Sequence, residues 1–428
     1  MADRLLDNAR DIFRHVGERI DAPFSVELWD GSVIPLGPHA DPNLRIRING
    51  SGAIGAIIRR PNLETVLRQY AEGGIDFAGA NMLAFIEAGR ARKVRLKASQ
   101  FRKIYLMLKL LPFLAARSEK APAASAFRDS GGRRDDSAYI RFHYDVGNDF
   151  YALFLDPEMQ YSCAYFRDGQ NSLEVAQHDK LDMICRKLRL QPGERFLDVG
   201  SGWGGLLCHA ARNYRVTAHG VTLSDEQFAF TQAKVRALGL EGQVTVELKS
   251  YEALDGEFDK IASIGMYEHV GIANYPAYFG KLNRLLRDRG MLLNHGITRR
   301  AKASRRGFGR IGPERRLILK YVFPGSELDH IGHSLQSMEA AGFEIHDVEG
   351  WREHYAPTCR LWHQRLVANE AKAVALVGRE KYRIWIAYLA GVSFAFADGS
   401  LRIYQTVATK HGGKGASGMP ATREHLYR

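Results

Sequence analysis

The sequence has few cysteines, and their spacing forms no metal or disulfide motif. Cys163, Cys185, Cys208 and Cys359 are the only four in 428 residues, and no two of them make a CxxC pair. A zinc ribbon and a disulfide framework are therefore excluded. This cysteine usage is typical of a protein in a reducing cytoplasm.

Long apolar runs are also missing. The longest, residues 105–116, contains Lys109 and Pro112 and is well short of the roughly 20 residues that span a bilayer. The N-terminal MADRLLDNARDIF has acidic residues where a signal peptide needs apolar ones. The sequence therefore predicts a soluble protein located in the cytoplasm.

Acidic residues are fewer than basic ones. The 60 Lys and Arg against 48 Asp and Glu leave a formal net charge of +12, which favours an anionic partner such as nucleic acid, a phospholipid surface or an acidic small molecule. Hydrophobic residues make up 45% and charged residues 25%, and this composition excludes wholesale disorder and a fibrous fold.

Three stretches of the chain differ in pattern. Residues 1–111 combine helical spacing with short strand-like runs over 25–37 and 44–60 and a helix after Pro61 and Asn62, which predicts a small α+β domain. Residues 112–138 are rich in Ala, Pro, Ser, Gly and charge and predict a linker. Residues 139–428 alternate strand-like and helical segments, which is typical of an α/β domain with a mostly parallel sheet.

The most specific local motif is FLDVGSGWGG, residues 196–205, where an apolar strand pattern meets a glycine-rich turn and then a helix pattern. Glycines let the backbone turn tightly and approach a cofactor closely, although the same pattern also occurs as a plain turn. Asp198 precedes Gly200 and Gly202, which is typical of S-adenosylmethionine methyltransferases. We therefore predict a Rossmann-like class I methyltransferase domain.

The next two strand-like runs end in further cofactor candidates. One ends near Thr222, Leu223 and Gln227, where a ribose-contacting side chain belongs but the usual acid is absent. The other ends at Tyr251 and Glu252, an aromatic ring and a carboxylate that suit an adenine.

Glu268 and His295 end the two strand-like runs that follow. Because the carboxyl ends of strands face the ligand crevice in open α/β sheets, both are expected at the reacting centre. A lone histidine there is more often structural, but the neighbouring Glu268 favours a catalytic role. An (N/D)PPY-type segment is missing from this position, which argues against nucleic acid as the substrate.

Six segments in order resemble the cyclopropane-fatty-acid-phospholipid synthase family, which includes the mycolic acid cyclopropane synthases and methyltransferases. They are HYDVGNDFYALFLDPEMQYSCAYF, LDVGSGWGG, GVTLSDEQ, SIGMYEHVG, KYVFPG and HYAPTCRLWHQRL. The resemblance covers residues 139–410 and extends more weakly to QYAEGGIDFAG in the N-terminal domain.

The resemblance implies transfer of the methyl group of S-adenosylmethionine to a cis double bond of an acyl chain in a membrane phospholipid. A bound bicarbonate then deprotonates the resulting carbocation and the cyclopropane closes. The residues that the resemblance assigns to bicarbonate are Cys163, Glu268, His295, Ile297 and Tyr388. Those it assigns to the cofactor are Tyr161, Ser162, Gly200, Gly202, Thr222, Leu223, Gln227, Tyr251, Glu252 and Ile264. It implies no metal.

Val392 departs from the family pattern, since many relatives carry a cysteine at this position. A thiolate mechanism is excluded there, and a methylene- or methyl-branched product stays open as an alternative to the cyclopropane. Four aromatic residues are candidates to face a carbocation, namely Tyr165, Tyr267, Tyr321 and Phe323.

The N-terminal domain is expected to dock on lipid or to pair subunits, with a homodimer as the expected assembly. Residues 88–118 carry nine Lys or Arg and no acid. We predict that the basic part, residues 90–109, binds the inner face of the membrane peripherally. Leucines in its apolar part are expected to enter the lipid, namely Leu106, Leu108, Leu110 and Leu111.

Overall fold

The structure is a computed structural model that describes residues 2–92, 102–116, 127, 139, 142–144, 146–169, 171–413 and 415–427. Most of the predicted linker and residues 93–101 of the basic segment lie outside the described residues. The chain forms two compact units. The first comprises Met1–Ala126, Gly312–Leu317 and Val367–Ala390, and the second comprises Phe127–Ile311, Ile318–Leu366 and Gly391–Arg428.

The N-terminal part of the first unit is an α+β structure, as predicted. Its elements are α1 (Ala2–Gly17), β1 (Phe24–Glu27), β2 (Val33–Pro35), β3 (Asp41–Ile48), α2 (Ser51–Arg59), α3 (Leu63–Glu72), β4 (Ile75–Ala78), α4 (Met82–Ala91), α5 (Lys103–Leu110) and a 3-10 turn (Leu111–Ala115). The sheet order is β2-β1-β3-β4. Strand β3 runs parallel to β1, and the other two pairs are antiparallel.

One strand-like prediction in this unit is wrong. The run over 44–60 is a strand only as far as Ile48, and Ser51–Arg59 is the helix α2. Ile54 and Ile58 lie four residues apart and both belong to the apolar core of the unit, as expected of one helix face. The predicted helix after Asn62 is confirmed as α3, and the Asn62 side chain caps it by accepting from the backbone N–H of Thr65 at 2.9 Å.

The remaining elements follow from residue 148 onward. They are α6 (Asn148–Ala152), α7 (Leu173–Lys187), β5 (Arg195–Val199), α8 (Gly205–Tyr214), β6 (Thr217–Thr222), α9 (Asp225–Ala237), β7 (Val244–Leu248), β8 (Phe258–Ile264), α10 (Tyr267–Val270), α11 (Tyr275–Leu285), β9 (Leu286–Arg299), α12 (Arg305–Gly309), α13 (Pro313–Tyr321), α14 (Ile331–Ala340), β10 (Phe343–Gly350), α15 (Arg352–Ala368), α16 (Glu370–Ala397) and β11 (Leu401–Lys410). No helix among the described residues has the length and apolar character needed to cross a membrane.

The seven strands of the second unit form one sheet in the order β10-β11-β9-β8-β5-β6-β7. Strands β5 to β9 are parallel, and β11 pairs antiparallel with both β9 and β10. The predicted α/β class with a mostly parallel sheet is confirmed. The chain leaves β5 toward β6 on one side and returns to β8 on the other, so a ligand crevice is expected at the carboxyl end of β5.

Candidate active site

The glycine-rich turn joins β5 to α8, as the motif predicts. Gly202 has φ +53°, and a Cβ built on it would meet nothing within 4 Å. At Gly204, with φ +75°, a Cβ would lie 2.5 Å from Cγ2 of Thr231. The first glycine therefore keeps space open for a ligand, whereas the second permits close packing of α9 on the turn.

Two cavities meet at this turn, and they enclose about 550 and 510 Å³ of empty space, solvent included. We call them the Thr222 cavity and the Lys180 cavity, each after a residue that lines it. They share five lining residues, namely Tyr144, Gly200, Gly202, Gln227 and Ile264. The shared lining makes them two ends of one site at the carboxyl edge of the sheet.

Ten of the eleven predicted cofactor residues line this site. The Thr222 cavity takes in Gly200, Gly202, Thr222, Leu223, Gln227, Tyr251 and Ile264. The Lys180 cavity adds Tyr161, Ser162 and Asp198. Glu252 is exposed and lines neither cavity, although it follows Tyr251 in the same 3-10 turn.

The Thr222 hydroxyl donates to Oε1 of Gln227 at 2.8 Å. This bond occupies the amide oxygen and keeps the amide nitrogen as a donor in a cavity that Gln227 lines. A ribose offers hydroxyl acceptors to such a donor. The pair therefore explains how the site can hold a nucleoside without the usual strand-end acid.

The Lys180 cavity contains two buried groups of opposite charge. Nζ of Lys180 donates to Oγ of Ser162 at 2.9 Å and also to Oε1 of Gln160. Burial lowers the pKa of Lys180 to about 8. Burial likewise raises the pKa of Asp198 to about 7, against the opposing effect of Lys180.

One polar atom of this cavity, Oδ1 of Asp198, is buried without a partner among the described residues. A buried polar atom costs free energy until it is paired. An ammonium and a carboxylate, as at the amino-acid end of S-adenosylmethionine, would suit Asp198 and Lys180. The residues present therefore fit this cofactor.

The sequence reasoning missed Lys180 and Tyr144 as site residues. Lys180 lies on the buried face of α7 with Leu173, Ala176 and Ile184, at the helical spacing of apolar positions. A lysine on an apolar stripe is the signal that would have indicated it. Tyr144 lines both cavities and stands in the HYDVGNDFY segment, which gave no separate indication of its role.

Glu268 is buried in α10 and is held by the end of β9. The backbone N–H of Ile297 donates to its Oε1 at 2.6 Å, and Oε2 has no partner within the described structure. Burial raises the pKa of Glu268 to about 7, and the Ile297 N–H limits that rise. The carboxyl group can therefore hold or release a proton near neutral pH.

His295 lies one strand away, paired in register with Ile264 of the cavity lining. Its Nδ1 lies 2.9 Å from Nε2 of Gln405, while its Nε2 is buried without a partner in the described part of the chain. Burial, followed by the charges of Lys180 and Lys187, lowers the pKa of His295 well below its usual value. The imidazole is therefore neutral.

Cys163 is buried, and its Sγ lies 3.3 Å from the carbonyl oxygen of Ala164 and 3.6 Å from that of Trp351. Burial raises the pKa of the Cys163 thiol well above its usual range, so the thiol is neutral. The Trp351 ring also packs edge-on against His295, with centroids 5.4 Å apart. Trp351 thus contacts two of the predicted bicarbonate residues.

Tyr388 lies in α16 within the first compact unit, where its ring packs 5.7 Å from Trp385. Its assignment to the bicarbonate site stays a prediction. Val392 lies further along the same helix and is buried.

Phe323, Tyr165 and Tyr267 pack against other rings of the second unit. Phe323 stacks on His143 at 3.7 Å and lies parallel to the Tyr161 ring at 6.5 Å. Tyr165 packs 5.0 Å from Trp351. Tyr267 is buried, and its hydroxyl donates to the carbonyl of Ile297 at 3.2 Å. Tyr321 is also buried.

Comparison with known proteins identifies relatives along most of the chain. Residues 132–406 match the family model described as mycolic acid cyclopropane synthetase. A probable fatty acid methyltransferase of Pseudomonas putida is 39% identical over 96% of this chain and 98% of its own length. The cyclopropane-fatty-acyl-phospholipid synthase of Escherichia coli is 38% identical over 63% of this chain and 66% of its own length.

Solved structures give the same result. The mycolic acid cyclopropane synthase CmaA1 in complex with SAH and CTAB is 35% identical and matches with a TM-score of 0.62 over 65% of this chain and 99% of its own. The chain belongs to the mycolic acid cyclopropane synthetase family and is an S-adenosylmethionine-dependent methyltransferase of the cyclopropane synthase type.

Proposed function

We propose that this enzyme methylates the cis double bond of an unsaturated acyl chain in a membrane phospholipid and forms a cyclopropane fatty acid. One observation carries the proposal. Glu268 in α10 and His295 in β9 each have an unpaired buried atom, and His295 pairs in register with Ile264, which lines both cofactor cavities. Such a water-poor centre suits deprotonation of a carbocation.

S-adenosylmethionine supplies an electrophilic methyl group when it is bound. The chain would hold its nucleoside through Thr222, Gln227 and Tyr251, and its amino-acid end through Lys180 and Asp198. An alkene is a poor nucleophile, so the chain must exclude water and offer aromatic faces to the cation. The stacked Phe323 and Tyr161 rings and the Tyr165–Trp351 pair are suited to that role.

We propose bicarbonate as the base, held by the residues of the second unit that the family resemblance assigns, namely Cys163, Glu268, His295 and Ile297. His295 and the Cys163 thiol are both neutral, so neither repels a bound anion. Glu268, whose pKa is about 7, would exchange the proton. Bound there, bicarbonate would supply the base that takes the proton which the cation loses as the cyclopropane ring closes.

The membrane is the proposed location of the substrate, with peripheral binding at its inner face. Helix α5 and the turn after it expose large apolar residues, of which Ile104 is 73% and Leu108 64% exposed. Leu106 and Leu110 pack instead on the core of the first unit. The exposed face of α5 would enter the lipid. A homodimer stays our proposed assembly.

Two observations favour a branched acyl chain as an alternative product. Val392 replaces the family's cysteine, and a relative that covers 96% of this chain carries the name fatty acid methyltransferase. After a hydride shift, the same cation can lose a proton from the added methyl group and leave a methylene branch. We therefore propose a methylene- or methyl-branched acyl chain as the alternative product.

Mass spectrometry of phospholipid acyl chains from cells that express the protein tests the proposal. We expect monounsaturated chains to gain one CH₂ unit, and no gain with the matched variant Glu268→Gln. Because the ring and the methylene branch are isomers, proton NMR of the isolated acyl chain then distinguishes them. Unchanged acyl chains in cells that contain folded wild-type protein would contradict both products.

A further inference from the structure

Gln405 lies opposite His295 where β11 pairs with β9. Its side-chain Nε2 lies 2.9 Å from Nδ1 of His295, and neither residue is exposed to solvent. Nε2 of His295 and Oε1 of Gln405 are both buried without a partner among the described residues. The ring therefore has one nitrogen engaged by the protein and one left for a ligand.

The amide of Gln405 could meet Nδ1 with its nitrogen or with its oxygen, and the two orientations leave different groups unpaired. With the nitrogen toward His295, the amide oxygen stays alone. With the oxygen toward His295, both amide N–H groups would be left without a hydrogen-bond partner. Unpaired buried N–H groups are rarer than under-satisfied carbonyl oxygens. The first orientation is therefore favoured, and Nδ1 is an acceptor.

We propose that Gln405 is a positioning residue that holds His295 as the tautomer protonated at Nε2. A neutral imidazole carries one proton, so a donor at Nδ1 sends it to the opposite nitrogen. The low pKa of His295 supports this, because the neutral ring is the form in which a tautomer has to be chosen.

The tautomer decides what His295 does in the reaction. A neutral ring protonated at Nε2 donates there and cannot accept a proton. His295 would then bind an oxygen of the anion, and proton exchange would be left to the anion and Glu268. This inference rests on the proposed function only in naming that anion as bicarbonate.

NMR of protein labelled with ¹⁵N-histidine reads the tautomer directly. We expect the His295 signals, identified by their loss in His295→Ala, to show Nε2 protonated in the wild type. Gln405→Met keeps the side-chain length but removes the donor, and it should populate the form protonated at Nδ1. Gln405→Glu offers an acceptor and should favour that form more strongly.

Thr406→Val is the matched control, because Thr406 is also buried and adjacent residues of a strand face opposite sides of the sheet. It should keep the wild-type tautomer. Protonation at Nδ1 in the wild type, or an unchanged tautomer in both Gln405 variants, would overturn the proposal. The wild-type spectrum decides the matter even if a variant does not fold.

The dependence of the rate on bicarbonate concentration tests this inference separately from the proposed function. Loss of such an orienting partner typically costs about 10- to 100-fold in ligand affinity. Gln405→Met should therefore raise the bicarbonate concentration for half-maximal rate by at least about tenfold, with a smaller change in kcat at saturation. A changed tautomer with an unchanged bicarbonate response would support the role of Gln405 and contradict bicarbonate as the anion.

Discussion

Gly202 combines a backbone conformation that disfavours a side chain with open space that a bound ligand can fill. Its φ is +53°, and its Cβ position opens into space at a residue that lines both cavities. We expect Gly202→Val to weaken S-adenosylmethionine binding by more than tenfold in calorimetry. Gly193→Val is the control, since Gly193 also has positive φ and open space but lies outside both cavities. Each should lose about 1–2 kcal/mol of stability. Equal affinity in the two variants would remove the glycine turn from the site.

Glu268 should make the protein less stable as pH rises. Burial raises its pKa from an ordinary 4.5 to about 7, so the folded state binds a proton that the unfolded state has lost between these values. The stabilising proton is fully bound below pH 4.5 and is lost as pH rises through 7. Glu268→Gln needs no proton and should exceed the wild type in unfolding free energy by on the order of 2–3 kcal/mol at pH 8.

The advantage of Glu268→Gln should shrink toward pH 5 in thermal unfolding followed at several pH values. Turnover should be lost at every pH, whereas S-adenosylmethionine affinity should stay close to that of the wild type. Glu257→Gln, at an exposed position, should show no pH-dependent gain. A constant difference between Glu268→Gln and the wild type across this range would mean that Glu268 stays ionised.

The sequence predicts individual site residues when they belong to a local motif. Asp198, Gly200 and Gly202 were predicted because they follow one another at a strand end. Lys180 and Gln405 were not, because their roles depend on partners brought close by the fold. Gln405 meets His295 across 110 residues of chain, and sequence spacing alone contains no sign of that pairing.

The apolar residues of helix α5 lie on two faces, one packed on the core and one exposed. Leu106 and Leu110 pack into the core, whereas Ile104 and Leu108 are exposed. We expect the double variant Ile104→Ser/Leu108→Ser to bind phosphatidylglycerol vesicles about 10- to 100-fold more weakly, because each buried apolar side chain contributes about 1.5–3 kcal/mol and the burial here is partial. Vesicle co-sedimentation measures this.

The matched control is Leu63→Ser/Val66→Ser, which changes two exposed apolar residues of α3. It should bind vesicles like the wild type, and both double variants should turn over detergent-dispersed substrate normally. Equal binding by the α5 variant would exclude this face as a lipid contact.

The elements were predictable where one periodicity continued through the whole segment. Strands β5 to β8 match the predicted runs, since each is short and followed by a turn. Strand β9 is longer than predicted, because it begins at Leu286 and continues past His295 to Arg299. Helix α2 was mistaken for strand because it contains isoleucines and follows the true strand β3 after only two residues. The basic residues 88–118 do not form one helix, because α4 ends at Ala91 and α5 begins at Lys103 in the described part.

The whole molecule carries a surplus of twelve positive charges. Each Lys or Arg near an anionic bilayer contributes on the order of 1 kcal/mol to binding. At physiological ionic strength, salt largely screens this attraction beyond about 8 Å. Binding to phosphatidylglycerol vesicles should therefore fall steeply as salt rises from about 50 to 500 mM. Binding to phosphatidylcholine vesicles should be weak and change little. Equal salt dependence for both lipids would contradict an electrostatic contribution.

Individual basic residues do not contribute equally to that surplus. Arg92 pairs with Asp21 at 3.2 Å, and Lys109 pairs with Asp11 at 2.6 Å. Net charge could be read from the sequence, but these pairings needed the fold, because each joins residues about seventy to a hundred positions apart.

Strand β11 lies between β9 and β10 in the sheet, yet it follows β10 along the chain. On the ribosome β10 is therefore made before the neighbour with which it pairs, and the sheet is completed by inserting its last-made strand. The same insertion delivers Gln405 to His295. Residues that line the cofactor cavities are all synthesised before β11 begins. A growing chain thus contains the residues that line the cofactor cavities, together with Glu268 and His295, well before it contains the glutamine that meets the His295 ring.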